Sequence, residues 1–374
     1  MQTRGLLTVV LLSLAAVSTT AAPAAAPPAD LAPYFSPPAA LAEDFGGLRS
    51  PLKFDDGRPV KSLKDWEQRR GEIQAYWQRE MGQWPPPLLK PKTETLEEGR
   101  RENFTQRKLR LEVAPGRQND VYLLLPEGKG PFPAMLVVYY DPETGVGLGK
   151  AGRDFAYQLV KRGFVTLSVG SPYQSNYPSE GSAPLQPLSY LAYMASNCYN
   201  ALANLPEVDP KRVGVMGHSY GGKWAMFASC LDERFACGVW SDPGIVFDEA
   251  RSNVNYWEPW YLGYDPALTR KPGILTPESP RTGAYKRLIA AGRDLHELHA
   301  LMAPRPFLVS GGAEDTVERW KALNHAVAVN KLLGYEHRVA MTNRPAHDPT
   351  PKSNEQIYRF CEWALKPGNP SGTK

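Results

Sequence analysis

The sequence predicts an α/β protein: a mostly parallel sheet covered by helices on both faces. Three observations carry that prediction. From Ala134 onward, short unbroken apolar runs alternate with helical stretches almost to the C-terminus, and strands buried on both faces read as such runs. The run Gly217-His218-Ser219-Tyr220-Gly221 lies directly behind the apolar stretch 212–216 and ahead of a helical stretch at 223–231. A segment of about fifty residues, 242–293, then breaks the alternation and carries Asn255-Tyr256-Trp257-Glu258-Pro259-Trp260-Tyr261. A loop that long inside a compact domain is usually a lid or a binding wall.

The elements follow in chain order. Arg4 and the apolar stretch 5–17 read as a secretory signal over residues 1–24, too short to span a bilayer. Alanine and proline dominate 21–38, so 25–45 is expected to be a mobile linker. A helix is expected over 63–81, capped by Ser62, with Trp66, Ile73, Tyr76 and Trp77 on one face. It forms the centre of an N-terminal helical extension, 46–100, ahead of the main domain, 101–370. Strands are expected at 108–113, 121–125, 134–140, 164–169, 213–216, 236–240, 306–309 and 337–341. Helices are expected near 153–161, 188–205, 224–231, 320–333 and 355–365.

Composition excludes several classes. The 374 residues carry a net charge of only +4 with no run of lysine or arginine, which argues against nucleic-acid binding. No stretch after the signal is long and apolar enough to cross a membrane, so a secreted or periplasmic, monomeric protein is expected. The four cysteines form no CxxC pattern, so no metal or other cofactor is implied. Cys198 and Cys230 fall on helices expected to be neighbours and could pair as a disulfide, with Cys237 able to replace either. Cys361 reads as a buried free thiol.

A serine is a poor nucleophile unless a base takes its proton and an acid orients that base. In the strand–turn–helix context, Gly-x-Ser-x-Gly places the Ser219 hydroxyl at a sharp turn above the sheet. Six histidines are present. His296, His299, His325 and His337 fall on expected helices or strands. His347 falls in a loop after the last strand and is the expected base. Asp315, beside Glu314 and just past the strand at 306–309, is the first expectation for the acid; Asp242, one strand earlier, is the alternative. The backbone N–H of Tyr220 and one from Tyr140 or Asp141 are expected to form the oxyanion hole.

On these residues the chain resembles the carbohydrate-esterase branch of the α/β-hydrolases, namely glucuronoyl esterases and acetyl xylan esterase-like proteins. Trp66, Arg69, Arg70, Glu72 and Gly82 are similar to that group's N-terminal helix, and 219–223 to its elbow. The stretches 232–236, 295–298 and 303–306 are similar too. The resemblance implies an α/β-hydrolase fold, Lys223 contacting sugar hydroxyls, and Trp257 or Trp260 lining a sugar site. The group places its acid after either of two strands, so both aspartates remain open. Its glucuronoyl esterases usually carry arginine directly after the serine, where this chain has Tyr220. A neutral phenol in place of that cation favours a simpler acyl ester.

The expected function is therefore a secreted serine carboxylesterase acting on a carbohydrate ester, with acetylated xylan ahead of a glucuronoyl ester. A peptidase of the prolyl-oligopeptidase type and an inactive glycan-binding protein are the alternatives.

Overall fold

The computed structural model describes residues 26–172, 185–268 and 270–366. The expected signal segment lies outside these residues. The nine strands of the sheet are β1 (Thr93–Arg101), β2 (Phe104–Ala114), β3 (Arg117–Pro126), β4 (Phe132–Tyr139), β5 (Val165–Gly170), β6 (Val208–His218), β7 (Cys237–Ser241), β8 (Phe307–Gly311) and β9 (Val339–Asn343). They are ordered β1-β2-β3-β5-β4-β6-β7-β8-β9. β1 to β3 and their junction with β5 are antiparallel, and every pairing from β5 to β9 is parallel. The helices are α1 (Leu63–Met81), α2 (Pro142–Gly145), α3 (Phe155–Val160), α4 (Pro187–Ala203), α5 (Tyr220–Leu231), α6 (Gly283–Ala290), α7 (His296–Ala300), α8 (Trp320–Leu332) and α9 (Pro351–Leu365).

Two hydrophobic layers flank the sheet, as the unbroken apolar strands require. In β4, Leu136 and Val138 face one layer with residues of α4, α5, α7 and α8, while Met135 and Val137 face the other with residues of α3 and α9. Helix α1 matches its expected bounds. The Ser62 hydroxyl accepts the Asp65 N–H at 3.1 Å, Trp66, Ile73, Trp77 and Met81 are buried, and Gly82 leaves the helix at φ 95°.

Four expectations are corrected. Residues 26–38 of the expected linker are folded: Leu31 and Phe35 are buried in the second layer, with Phe35 edge-on to Trp363 at 5.0 Å. Strand β1 begins inside the span assigned to the helical extension. Its sequence Thr-Glu-Thr-Leu-Glu-Glu-Gly-Arg-Arg is nearly all polar because it is an exposed edge strand, paired only to β2. His337 does not open the last strand; it takes φ 54° ahead of β9. Finally, Cys198, Cys230, Cys237 and Cys361 are all free and buried, so the Cys198–Cys230 pairing is not made. Desolvation holds the Cys198 thiol up at about 12, which keeps it in the unreactive protonated form.

Candidate active site

The site forms where the carboxyl ends of β6, β7 and β9 meet, the usual place for a site on an open parallel sheet. β6 runs into α5 with only Ser219 between them, and Ser219 adopts φ 56°, ψ −115°. A non-glycine residue there stores roughly 1–3 kcal/mol of strain and persists only when its surroundings fix it. Here the flanking glycines allow the close approach. A Cβ on Gly217 would lie 2.3 Å from the Gly221 backbone, and one on Gly221 would lie 2.0 Å from the Val138 carbonyl oxygen. The Ser219 N–H donates to the Ser241 carbonyl at 2.8 Å, tying the turn to the end of β7.

His347 reaches the serine from the loop after β9. Ser219 Oγ and His347 Nε2 are 2.8 Å apart, and His347 Nδ1 lies 2.7 Å from Asp242 Oδ2. A carboxylate can only accept, so Nδ1–H donates to Asp242, which leaves Nε2 to accept the serine proton. Asp242 follows β7 directly and adopts φ 50°. Its Oδ1 accepts the N–H groups of Gly312 at 2.6 Å and Asp315 at 2.8 Å. The carboxylate is thus fully buried yet fully bonded.

Asp315, the first expectation for the acid, does not touch His347. It is buried and accepts the N–H groups of Gly244 at 2.8 Å and Ile245 at 2.6 Å. Burial, together with the nearby Asp242 charge, raises its carboxyl to about 6. Glu314 accepts from Asn253 Nδ2 at 2.9 Å. Both acids after β8 hold the insertion and the turn after β7, and the alternative, Asp242, is the one that meets the base.

The expected oxyanion donors follow the neighbouring strands β6 and β4. Tyr220 occupies the first position of α5, where a backbone N–H has no partner within the helix. Its hydroxyl bonds Ser171 Oγ at 2.9 Å, and its ring stacks on Tyr140 at 4.7 Å. Tyr140 follows β4 and is half-exposed. Asp141 caps α2, its carboxylate accepting the Thr144 N–H at 2.7 Å.

Of the expected sugar contacts, two are structural. Lys223 is buried; its Nζ donates to the carbonyls of Pro243 and Asn253 and lies 4.8 Å over the Tyr256 ring. Desolvation lowers its ammonium to about 8. Trp257 is buried, donating Nε1–H to the Gly273 carbonyl at 2.9 Å. Lys223 ties the insertion to α5, and the Trp257 bond braces the insertion internally. Trp260 stays half-exposed beside Tyr261.

Two residues around the triad carried no expectation. His218 precedes the serine and is buried, its ring 4.7 Å from that of His347 and its Nδ1 3.1 Å from Ser241 Oγ. Desolvation, then the neighbouring His347, lowers its pKa well below the ordinary histidine value. Arg344 lies under the His347 loop. Its place three residues before the base was the one signal the sequence offered.

Among the described residues, no group of three or more His, Cys, Asp or Glu side chains could hold a metal ion, and no helix is long and apolar enough to cross a membrane.

The chain is similar to several known proteins. A family model described as the prolyl oligopeptidase family matches residues 195–317, and one described as esterase FrsA-like matches 93–241. A 4-O-methyl-glucuronoyl methylesterase of Schizophyllum commune is 26% identical over 205 residues, 53% of this chain and 50% of that protein. One of Podospora anserina is 29% identical over 208 residues, 53% and 41% of the two chains. The chain thus spans about half the length of the curated relatives it matches. The structure of a glucuronoyl esterase from Solibacter usitatus superposes with a TM-score of 0.66 at 20% identity, over 85% of this chain and 97% of that one. The chain has an α/β-hydrolase fold, and the relatives it matches are named as glucuronoyl esterases.

Proposed function

We propose that this protein is an exported serine esterase that cleaves a carbohydrate ester, the ester of a glucuronic acid unit being its first substrate class. The continuous hydrogen-bonded line Ser219–His347–Asp242 carries the proposal. The relatives favour the glucuronoyl ester over the acetyl ester that Tyr220 suggested, because both curated relatives are named for glucuronoyl ester cleavage. The apolar segment 5–17 supports export.

The reaction follows from the geometry. His347 Nε2 takes the Ser219 proton as Oγ attacks the ester carbonyl, and Asp242 holds the imidazole in the required tautomer and stabilises its cationic form. The Tyr220 N–H and a backbone N–H from Tyr140 or Asp141 are the proposed donors to the developing oxyanion, with the Tyr140 hydroxyl as a further candidate. His347 then protonates the leaving alcohol, and water, deprotonated by the same ring, hydrolyses the acyl-enzyme.

Acetyl ester cleavage is the second reading, favoured by the neutral Tyr220 in place of a cation. Release of alcohol from benzyl glucuronate and of acetate from acetylated xylan, by wild type and Ser219→Ala, separates the two. Serine-dependent turnover of the glucuronate ester is expected. Activity on acetylated xylan alone would overturn the substrate class, and absence of serine-dependent turnover on either would overturn the esterase.

A further inference from the structure

Arg344 is the most heavily bonded buried cation beside the site. It follows β9 directly and is 7% exposed. Its Nη2–H donates to the His347 carbonyl at 2.6 Å and to Ser241 Oγ at 3.3 Å. Nε–H donates to the Asp348 carbonyl at 3.0 Å, and Nη1–H to the Ser310 carbonyl at 2.7 Å. One planar group therefore ties the loop carrying the base to the last residue of β7, which precedes Asp242, and to β8, whose following turn bonds that aspartate. None of these acceptors is a carboxylate, so the guanidinium charge is retained beneath the triad and not cancelled by an ion pair. Arg153 grips the same loop from the other side through the Asp348 carboxylate.

We infer that Arg344 is a positioning residue for the catalytic base: its fork fixes the His347 main chain against the ends of β7 and β8. The inference rests on the esterase reading for its kinetic consequences, but not for its effect on the placement of the histidine. A lysine at this position would keep the charge but lose the fork, since an ammonium cannot span three carbonyls in one plane. Methionine would lose both.

Two variants and two readouts test this role. In Arg344→Met, kcat should fall about 10²-fold, the cost of a base displaced by about 1 Å, with KM little changed. In Arg344→Lys, which keeps the charge but loses the fork, kcat should also fall. The NMR resonance of the His347 Nδ1–H, read at one pH, reports its hydrogen bond to Asp242 without any substrate. A displaced resonance in both variants would support the inference even if no ester tested were turned over, in which case the esterase reading alone would fall. An Arg344→Met enzyme that melts at lower temperature but keeps wild-type turnover per fluorophosphonate-reactive serine, with an undisplaced resonance, would reduce Arg344 to a fold-stabilising residue and overturn it.

Discussion

Asp242 and Asp315 each cap the turn that carries the other. Asp242 Oδ1 accepts the N–H groups of Gly312 and Asp315 after β8, while Asp315 accepts those of Gly244 and Ile245 after β7. Two buried carboxylates would repel each other strongly if both were bare. The N–H donors on each turn offset that repulsion, while burial, then the Asp242 charge, raises the Asp315 carboxyl to about 6. Asp242 Oδ2, which also accepts the Glu314 N–H at 3.3 Å, meets His347.

The reciprocal caps predict opposite outcomes for two isosteric changes. Asp242→Asn keeps an oxygen for the N–H groups but puts an amide against His347, so kcat should fall about 10³- to 10⁴-fold with little change in melting temperature. Asp315→Asn turns an NH₂ toward the Gly244 or Ile245 N–H and should cost about 1–3 kcal/mol of stability, leaving kcat within a few-fold. Thermal melts and ester kinetics on both variants check this; a reversed pattern would return the acid to Asp315.

Tyr140 offers a separable contribution. Its ring stacks on Tyr220 beside the serine turn, while desolvation holds the phenol pKa up and keeps it a donor. Tyr140→Phe retains the stack and deletes the donor. Loss of one oxyanion donor typically costs about 10²-fold in kcat, so a fall of about that size is expected, with wild-type melting and little change in KM. Unchanged kcat would assign oxyanion stabilisation to backbone N–H groups alone.

What the sequence made legible was whatever local pattern dictates. The elbow could be read because strand, glycines and helix are contiguous, and His347 was singled out because the other candidate histidines fell where helices or a strand were expected. The acid could not be read, because Asp242 and Asp315 both follow strand ends and differ only in which side chain faces the histidine after packing. Lys223 and Trp257 were expected as sugar contacts only through the family resemblance, and burial of a lysine or an indole is not legible in sequence. They could be judged only once the insertion's own carbonyls were seen to satisfy them. Strand β1 escaped because an edge strand solvated on both faces has no alternation to detect.

The interior also holds a histidine cluster remote from the serine that sets an acid limit on stability. The rings of His296 and His325 pack tilted at 4.6 Å, His296 Nε2 lies 2.6 Å from the Arg49 carbonyl, and His325 Nε2 lies 3.0 Å from that of Phe45. His299, packed on Trp240 at 5.2 Å, has no hydrogen-bond partner for either nitrogen. Burial lowers His296 and His325 to about 4 and His299 well below the ordinary value. A depressed histidine pKa means that the unfolded chain binds the proton more readily, so stability falls as protons are added. The neutral rings therefore contribute in full above about pH 6.5. Their contribution declines as pH drops toward 4, by on the order of 3 kcal/mol for each of His296 and His325 at the acid end. Melting temperature followed from pH 7.5 to 4 should drop steeply below 6.5, and His299→Phe, which removes one titrating ring while keeping an aromatic against Trp240, should flatten the slope. An identical slope in that variant would move the acid sensitivity to the carboxylates.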